Sequence, residues 1–154
     1  MIGDGQVPLA RLFAMAYRDL VDSLHERLAD RGWRDVRPSF GFVLLAARDH
    51  PITITQVAAL MGTTKQAASK LAGSIVDAGY LQASATSPDS RERPLRLSRR
   101  GTMLLADVEE VYAELEGEWA EVIGSSGLAR LRRDLTKAVA TAHGGRLPDI
   151  RPPS

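Results

Sequence analysis

Residues 53–81 read TITQVAALMGTTKQAASKLAGSIVDAGYL, and this stretch decides the fold. Thr53 is followed three residues later by Gln56, the spacing of a capping box, in which side chain and backbone at a helix start satisfy one another. Behind it Ile54, Val57, Ala58 and Met61 share one face of a short helix. Gly62 suits the left-handed conformation that closes a helix. Thr64 is a second N-cap. It opens a longer helix expected to bury Ala67, Ala68, Leu71, Ile75 and Val76 and to end at Gly79. Two helices joined by a tight glycine turn form a helix-turn-helix.

Immediately downstream the period changes. Leu81, Ala83 and Ala85 alternate with Gln82 and Ser84, and later Leu95 and Leu97 alternate with Arg96 and Ser98. The polar stretch TSPDSRERP lies between them. A β-hairpin directly after a helix-turn-helix is a wing. Ser98 then caps a long helix carrying Leu104, Val108, Val111, Leu115, Trp119 and Val122. A turn is expected over residues 124–127. A last helix is marked by Leu128, Leu131, Leu135 and Val139, and residues 143–154 are too rich in glycine and proline to continue it.

Upstream, Leu9, Leu12, Phe13, Ala16, Leu20, Leu24 and Leu28 lie on one face of a helix running to about Asp30, widened by Tyr17 and Val21. A stripe this wide must be buried against something. Gly32 and Pro38 end that helix, and the apolar run from Ser39 to Ala47 reads as a buried helix before Asp49-His50-Pro51. The expected architecture is mainly α with a small β-wing. Residues 38–100 form the winged helix-turn-helix lobe, and residues 9–37 and 101–142 supply dimerisation helices. The whole is one domain, as 154 residues allow.

Composition narrows the function. With no cysteine, disulfide scaffolds, zinc-thiolate sites and cysteine nucleophiles are excluded. His25, His50 and His143 include no pair at metal-ligand spacing, and no cofactor is implied. Neither a glycine-rich phosphate loop nor a histidine beside a nucleophile is found, so an enzyme is not expected. No apolar run reaches transmembrane length, and Asp4 stands where a signal peptide carries positive charge, which makes a cytoplasmic location the expectation. Net charge is only +1, against a strongly electrostatic binder, but its distribution is uneven. Between Thr63 and Arg100 stand Lys65, Lys70, Arg91, Arg93, Arg96, Arg99 and Arg100 against Asp77, Asp89 and Glu92, whereas residues 101–123 hold seven acids and no base. One reading is a segment built to approach an anion. The other is a pair of solvated faces of opposite sign.

The order of elements resembles the multiple-antibiotic-resistance regulator (MarR) family from about Leu9 to Val139. Three motifs carry the resemblance: ITITQVAALMGTTKQAASKL across the two helices, DAGYL at the exit into the wing, and DSRERPLRLSRRG, with an Asp-x-Arg at the wing tip and a Leu-Ser-x-x-Gly at its return. The resemblance implies a winged-helix fold, a homodimer, palindromic double-stranded operator DNA as partner, and release by a small aromatic or anionic effector. A recognition helix enters the major groove N-terminus first. That makes Thr63, Thr64, Lys65, Gln66, Ser69 and Lys70 the candidate base and phosphate contacts. Gln66 suits adenine and the lysines suit guanine acceptors, while Thr64 has capping as its competing role. At the wing, Arg91 matches the family arginine that enters the minor groove, Asp89 the acid that orients it, and Arg93 is a second candidate. The competing reading is a surface ion pair. The outgoing strand QASAT departs from the family in carrying no arginine. Phe13, Tyr17, Trp33 and Phe40 are candidates for an effector pocket between the dimerisation helices and the lobe, with ordinary core packing as the alternative. The expected function is a dimeric DNA-binding repressor. The alternatives are a regulator without a small-molecule ligand, or a winged-helix protein-interaction module, whose exposed helix face would be apolar.

Overall fold

The computed structural model describes residues 5–84 and 93–152. Six helices and a two-stranded antiparallel sheet run in the order α1 (Leu9–Asp30), α2 (Pro38–Ala46), α3 (Ile54–Met61), α4 (Lys65–Asp77), β1 (Leu81–Ala83), β2 (Leu95–Leu97), α5 (Arg99–Ile123) and α6 (Ser125–Ala142). The local chemistry read from the helix starts is present. The Thr53 amide donates to Gln56 Oε1 at 2.9 Å while the Gln56 amide donates to Thr53 Oγ1 at 3.2 Å, a complete capping box at the start of α3. Gly62 closes α3 at φ 64°, ψ 38°, the left-handed region that favours glycine. Thr64 Oγ1 accepts from the Ala67 amide at 3.1 Å and caps α4, which begins at Lys65 after a three-residue turn from α3.

The wing is tied to the helices on both sides. β1 pairs β2 in the register Leu81↔Leu97, Gln82↔Arg96 and Ala83↔Leu95. Leu95 also exchanges two backbone hydrogen bonds of 2.8 Å with Ile52, so the connection between α2 and α3 acts as a third, one-residue strand. Ser98 caps α5 by accepting from the Gly101 amide at 3.0 Å, and its hydroxyl donates to the Gly79 carbonyl at 2.5 Å. A Cβ on Gly101 would stand 2.2 Å from the Tyr80 carbonyl oxygen. This explains the Leu-Ser-x-x-Gly return physically. The serine joins the two ends of the wing, and the glycine lets α5 lie against the backbone leaving α4.

One core joins the lobe to the long helices. Phe40, Val43 and Leu44 of α2, Val57 of α3, Ala68, Ala72 and Ile75 of α4, and Tyr80 and Leu81 are all buried, and Leu24 and Leu28 of α1 meet Leu104, Val111 and Leu115 of α5 beside them. Three expectations need correction. Ala67 and Val76 lie on the exposed side of α4, because the core touches only a narrow stripe of that helix. The turn expected over residues 124–127 shrinks to Gly124, since α6 begins at Ser125. The stripe of α5 fades toward its end: Trp119 is half-buried and Val122 is 85% exposed.

The acids of residues 101–123 have partners within the chain. Arg31 meets Glu110 at 2.7 Å, Glu114 at 2.6 Å and Asp107 at 3.5 Å, and Arg27 meets Glu118 at 2.7 Å and Glu114 at 3.5 Å. Acids three and four residues apart on α5 thus face two arginines four residues apart on α1. Glu116 pairs with Arg132 of α6. No described helix is long and apolar enough to cross a membrane.

Candidate nucleic-acid interface

The helix α4 has two unlike faces. Ala68, Ala72 and Ile75 are buried to within 1% of full coverage, and Leu71 is half-buried. Away from that buried face Gln66, Ser69 and Lys70 are exposed, joined by Ala67 and Gly73, and Thr63, Thr64 and Lys65 are exposed at the start of the helix. Residues 66, 69, 70 and 73 follow the three-and-four spacing that places side chains in one row. The row is short, polar and basic, with no acid in the first turn of the helix. Its floor is rigid, because the buried face is anchored by the core and the N-terminus is set by the Thr64 cap.

The motif reading missed Ala67 and Gly73 as members of this face. Their exposure leaves a shallow, side-chain-poor patch beside Gln66 and Lys70, through which another backbone or a methyl group can come close. Only the tertiary position of the core stripe reveals this.

On the wing, Arg93 and Arg96 are exposed. Arg96 stands directly opposite Gln82, whose amide oxygen, correctly oriented, accepts from Arg96 Nη2 at 2.8 Å. Asp89 and Arg91 lie outside the described residues.

The four aromatic candidates for an effector pocket separate. Tyr17 lines a cavity of about 240 Å³ between α1, α2 and α5, together with His25, Phe42, Val108, Glu109 and Tyr112. Ile150, from the segment after α6, closes one side. Phe13 is not among the lining residues and is 41% exposed on the outer part of α1. Phe40 is 2% exposed and packs edge-on to Tyr80 with ring centres 6.3 Å apart. Trp33 stacks obliquely on Tyr80 at 6.0 Å and donates from Nε1 to Asp107 at 2.6 Å. These two rings therefore brace the joint between the lobe and α5. The Arg100 guanidinium lies 5.2 Å from the Trp33 ring and 5.1 Å from that of Tyr80.

Of the four aromatic candidates Tyr17 alone lines this cavity, and it stands there with His25 and Tyr112 because α5 packs beside α1 although it lies far along the chain. Burial lowers the His25 pKa from its ordinary value, against a backbone hydrogen bond to Val36 and the charge of Asp22, which raise it. Burial likewise raises Tyr17 and Tyr112. Among the described residues no group of three or more histidines, cysteines and acids is placed to hold a metal ion.

Residues 42–92 match the model of the MarR family. Solved structures with the same fold include RV1404 from Mycobacterium tuberculosis, at 22% identity over 93% of this chain and 95% of that one, with a TM-score of 0.70. Apo MarR from E. coli aligns at 20% identity over 86% of this chain and 98% of that one, with a TM-score of 0.67. A MepR variant from S. aureus, solved bound to an oligodeoxyribonucleotide, aligns at 16% identity over 88% and 99%, with a TM-score of 0.60. No curated protein sequence matches the chain significantly.

Proposed function

We propose that this chain, which has the MarR winged-helix fold and carries that family's signature over residues 42–92, is a homodimeric DNA-binding repressor released by a small ligand. One observation carries the DNA-binding part: the exposed row on α4 is polar and basic, while its opposite face is locked into the core. A protein-interaction helix would present apolar side chains there instead. The MepR variant bound to an oligodeoxyribonucleotide supports the same reading by its fold.

In this reading α4 enters the major groove. Gln66 bonds an adenine edge, Lys65 and Lys70 reach guanine acceptors or phosphate, and Thr63, Thr64 and Ser69 hold the flanking backbone. The wing places Arg91 in the minor groove, where a narrow groove concentrates negative potential, with Asp89 orienting it and Arg93 beside it. The dimer forms through α1 and α6, whose apolar residues Leu9, Leu12, Leu131 and Leu135 stay exposed in the single chain. Two-fold symmetry then calls for inverted half-sites with centres about 10 base pairs apart.

The test is salt-titrated binding to DNA from upstream of the protein's own gene and to scrambled DNA. For Arg91→Ala, binding weakens on both sequences and the salt slope falls by about 1. For Gln66→Ala, the slope stays fixed and discrimination at one operator position falls by about 1–3 kcal/mol. Two variants that bind like the parent would remove this assignment of the DNA face.

A further inference from the structure

The exit of α4 is tied to the end of α1 through one side chain. Tyr80 extends the rigid end of α4, because its amide donates to the Ile75 carbonyl at 3.1 Å and its ring is fully buried. Trp33 is fixed to α1 in the same manner, its amide donating to the Leu28 carbonyl at 2.8 Å. The two rings meet with centres 6.0 Å apart and planes tilted by 51°. Arg100 of α5 closes on the same place. Its guanidinium lies over both rings, at 5.2 Å from Trp33 and 5.1 Å from Tyr80, and a Cβ on Gly79 would stand 3.3 Å from its Cδ.

Asp107 sets the direction of the Trp33 ring. Its Oδ2 accepts from Trp33 Nε1 at 2.6 Å, while its Oδ1 lies 3.5 Å from Arg31 Nη1 near the end of α1. A charged acceptor makes such a bond short and strong. Arg31 is held in turn by Glu110 and Glu114 of α5. The indole is thus fixed on its face by Tyr80 and Arg100 and on its edge by Asp107. The helix α1 carries the exposed Leu9 and Leu12, and α4 carries the exposed polar row. Trp33 joins the one to the other. A two-fold dimer accepts one half-site spacing only if each recognition helix keeps a fixed place relative to the dimer contact.

We propose that Trp33 is a positioning residue for operator recognition: its ring, oriented by Asp107, fixes α4 relative to α1 and so sets the half-site spacing that the dimer accepts. The proposal rests on the dimeric DNA-binding reading.

Fluorescence anisotropy with the full-length protein tests it. The probes are duplexes carrying the inverted half-sites found upstream of the protein's own gene, with the spacer natural, one base pair shorter or one longer, and a duplex with a single half-site. One base pair moves a half-site by about 3.4 Å and turns it by about 35°. The parent should bind either altered spacing at least about tenfold more weakly than the natural one. Trp33→Phe keeps a ring and removes the N–H, and Asp107→Leu removes the acceptor. In both, the spacing penalty should narrow to about threefold or less, with single half-site affinity and folding, checked by melting temperature, kept. Asp107→Asn, which retains an acceptor, should recover most of the parent's penalty. An unchanged penalty in both variants overturns the proposal. So does an equal loss on every duplex including the single half-site, which marks a purely structural role. A parent that binds all spacings alike overturns it and leaves DNA binding standing. A parent that binds none of the duplexes removes the DNA-binding reading and the proposal with it.

Discussion

The winged-helix lobe and the helices flanking it are built to different standards of completeness. Each element of the lobe buries its apolar face within the chain: α2 against α3 and α4, Ile52 against the wing, and Tyr80 and Leu81 against α5. The flanking helices do not. In α1 only Leu24 and Leu28 are buried, while Leu9 is 67% and Leu12 46% exposed. The helix α6 is strongly amphipathic yet buries no residue at all. An apolar stripe costs free energy in water in proportion to its area, and a whole helix carrying one is stable only against a second surface. The contrast teaches that the lobe covers its own apolar faces, whereas the flanking helices leave theirs open within the single chain.

The strongest way to break this comparison is to charge the unfinished face. In Leu131→Glu with Leu135→Glu, the two-fold contact would bury four carboxylates across its two copies. Self-association should weaken by about 100-fold or more, read by analytical ultracentrifugation, and operator affinity should fall with it. In the proposed dimer, an interface of this kind would bury more than about 2,000 Å². A double variant that stays dimeric would mean that α6 faces solvent and that the flanks are complete after all.

A smaller effect tests the finished side. Gly101→Ala gains about 1 kcal/mol of helix propensity but forces a methyl group against the Tyr80 carbonyl oxygen, 2.2 Å away. Overpacking against backbone outweighs that gain, and a net loss of about 2–3 kcal/mol is expected in urea denaturation, with the wing loosened from α5. Neutral behaviour would show that the lobe's joint to α5 yields easily.

The smallest effect sharpens the claim that the lobe satisfies itself. The Tyr80 hydroxyl is fully buried, and among the described residues it has no hydrogen-bond partner. Removing an unsatisfied polar atom relieves its desolvation cost. Tyr80→Phe should therefore leave stability within about 0.5 kcal/mol of the parent or raise it, read as melting temperature. A clear loss would mean that a buried water completes the hydroxyl, and that solvent is part of this core.

Much of the fold was legible from short-range chemistry. In their capping bonds Thr53, Gln56, Thr64 and Ser98 act on backbone groups three residues away, so these roles could be read without knowing what the helices pack against. Gly62 and Gly79 adopt positive φ where helices end, for the same local reason. The polar row on α4 was legible too, because side chains at helical spacing share a face whatever lies beneath.

What the tertiary structure decided is which part of each stripe is covered. Ala67 and Val76 fit an apolar pattern, yet the core reaches only Ala68, Leu71, Ala72 and Ile75, because α2 and α3 approach α4 along one narrow line. The acids of α5 looked like a solvated face, and it took the crossing of α1 to set Arg27 and Arg31 against them. The cavity was least legible of all. Tyr17, His25 and Tyr112 meet only because α1 and α5, about ninety residues apart in the chain, lie side by side and leave space under α2. Hydrogen bonds at a helix end depend on neighbours in sequence and are written there; burial and enclosure depend on which surfaces meet, and that is a property of the whole fold.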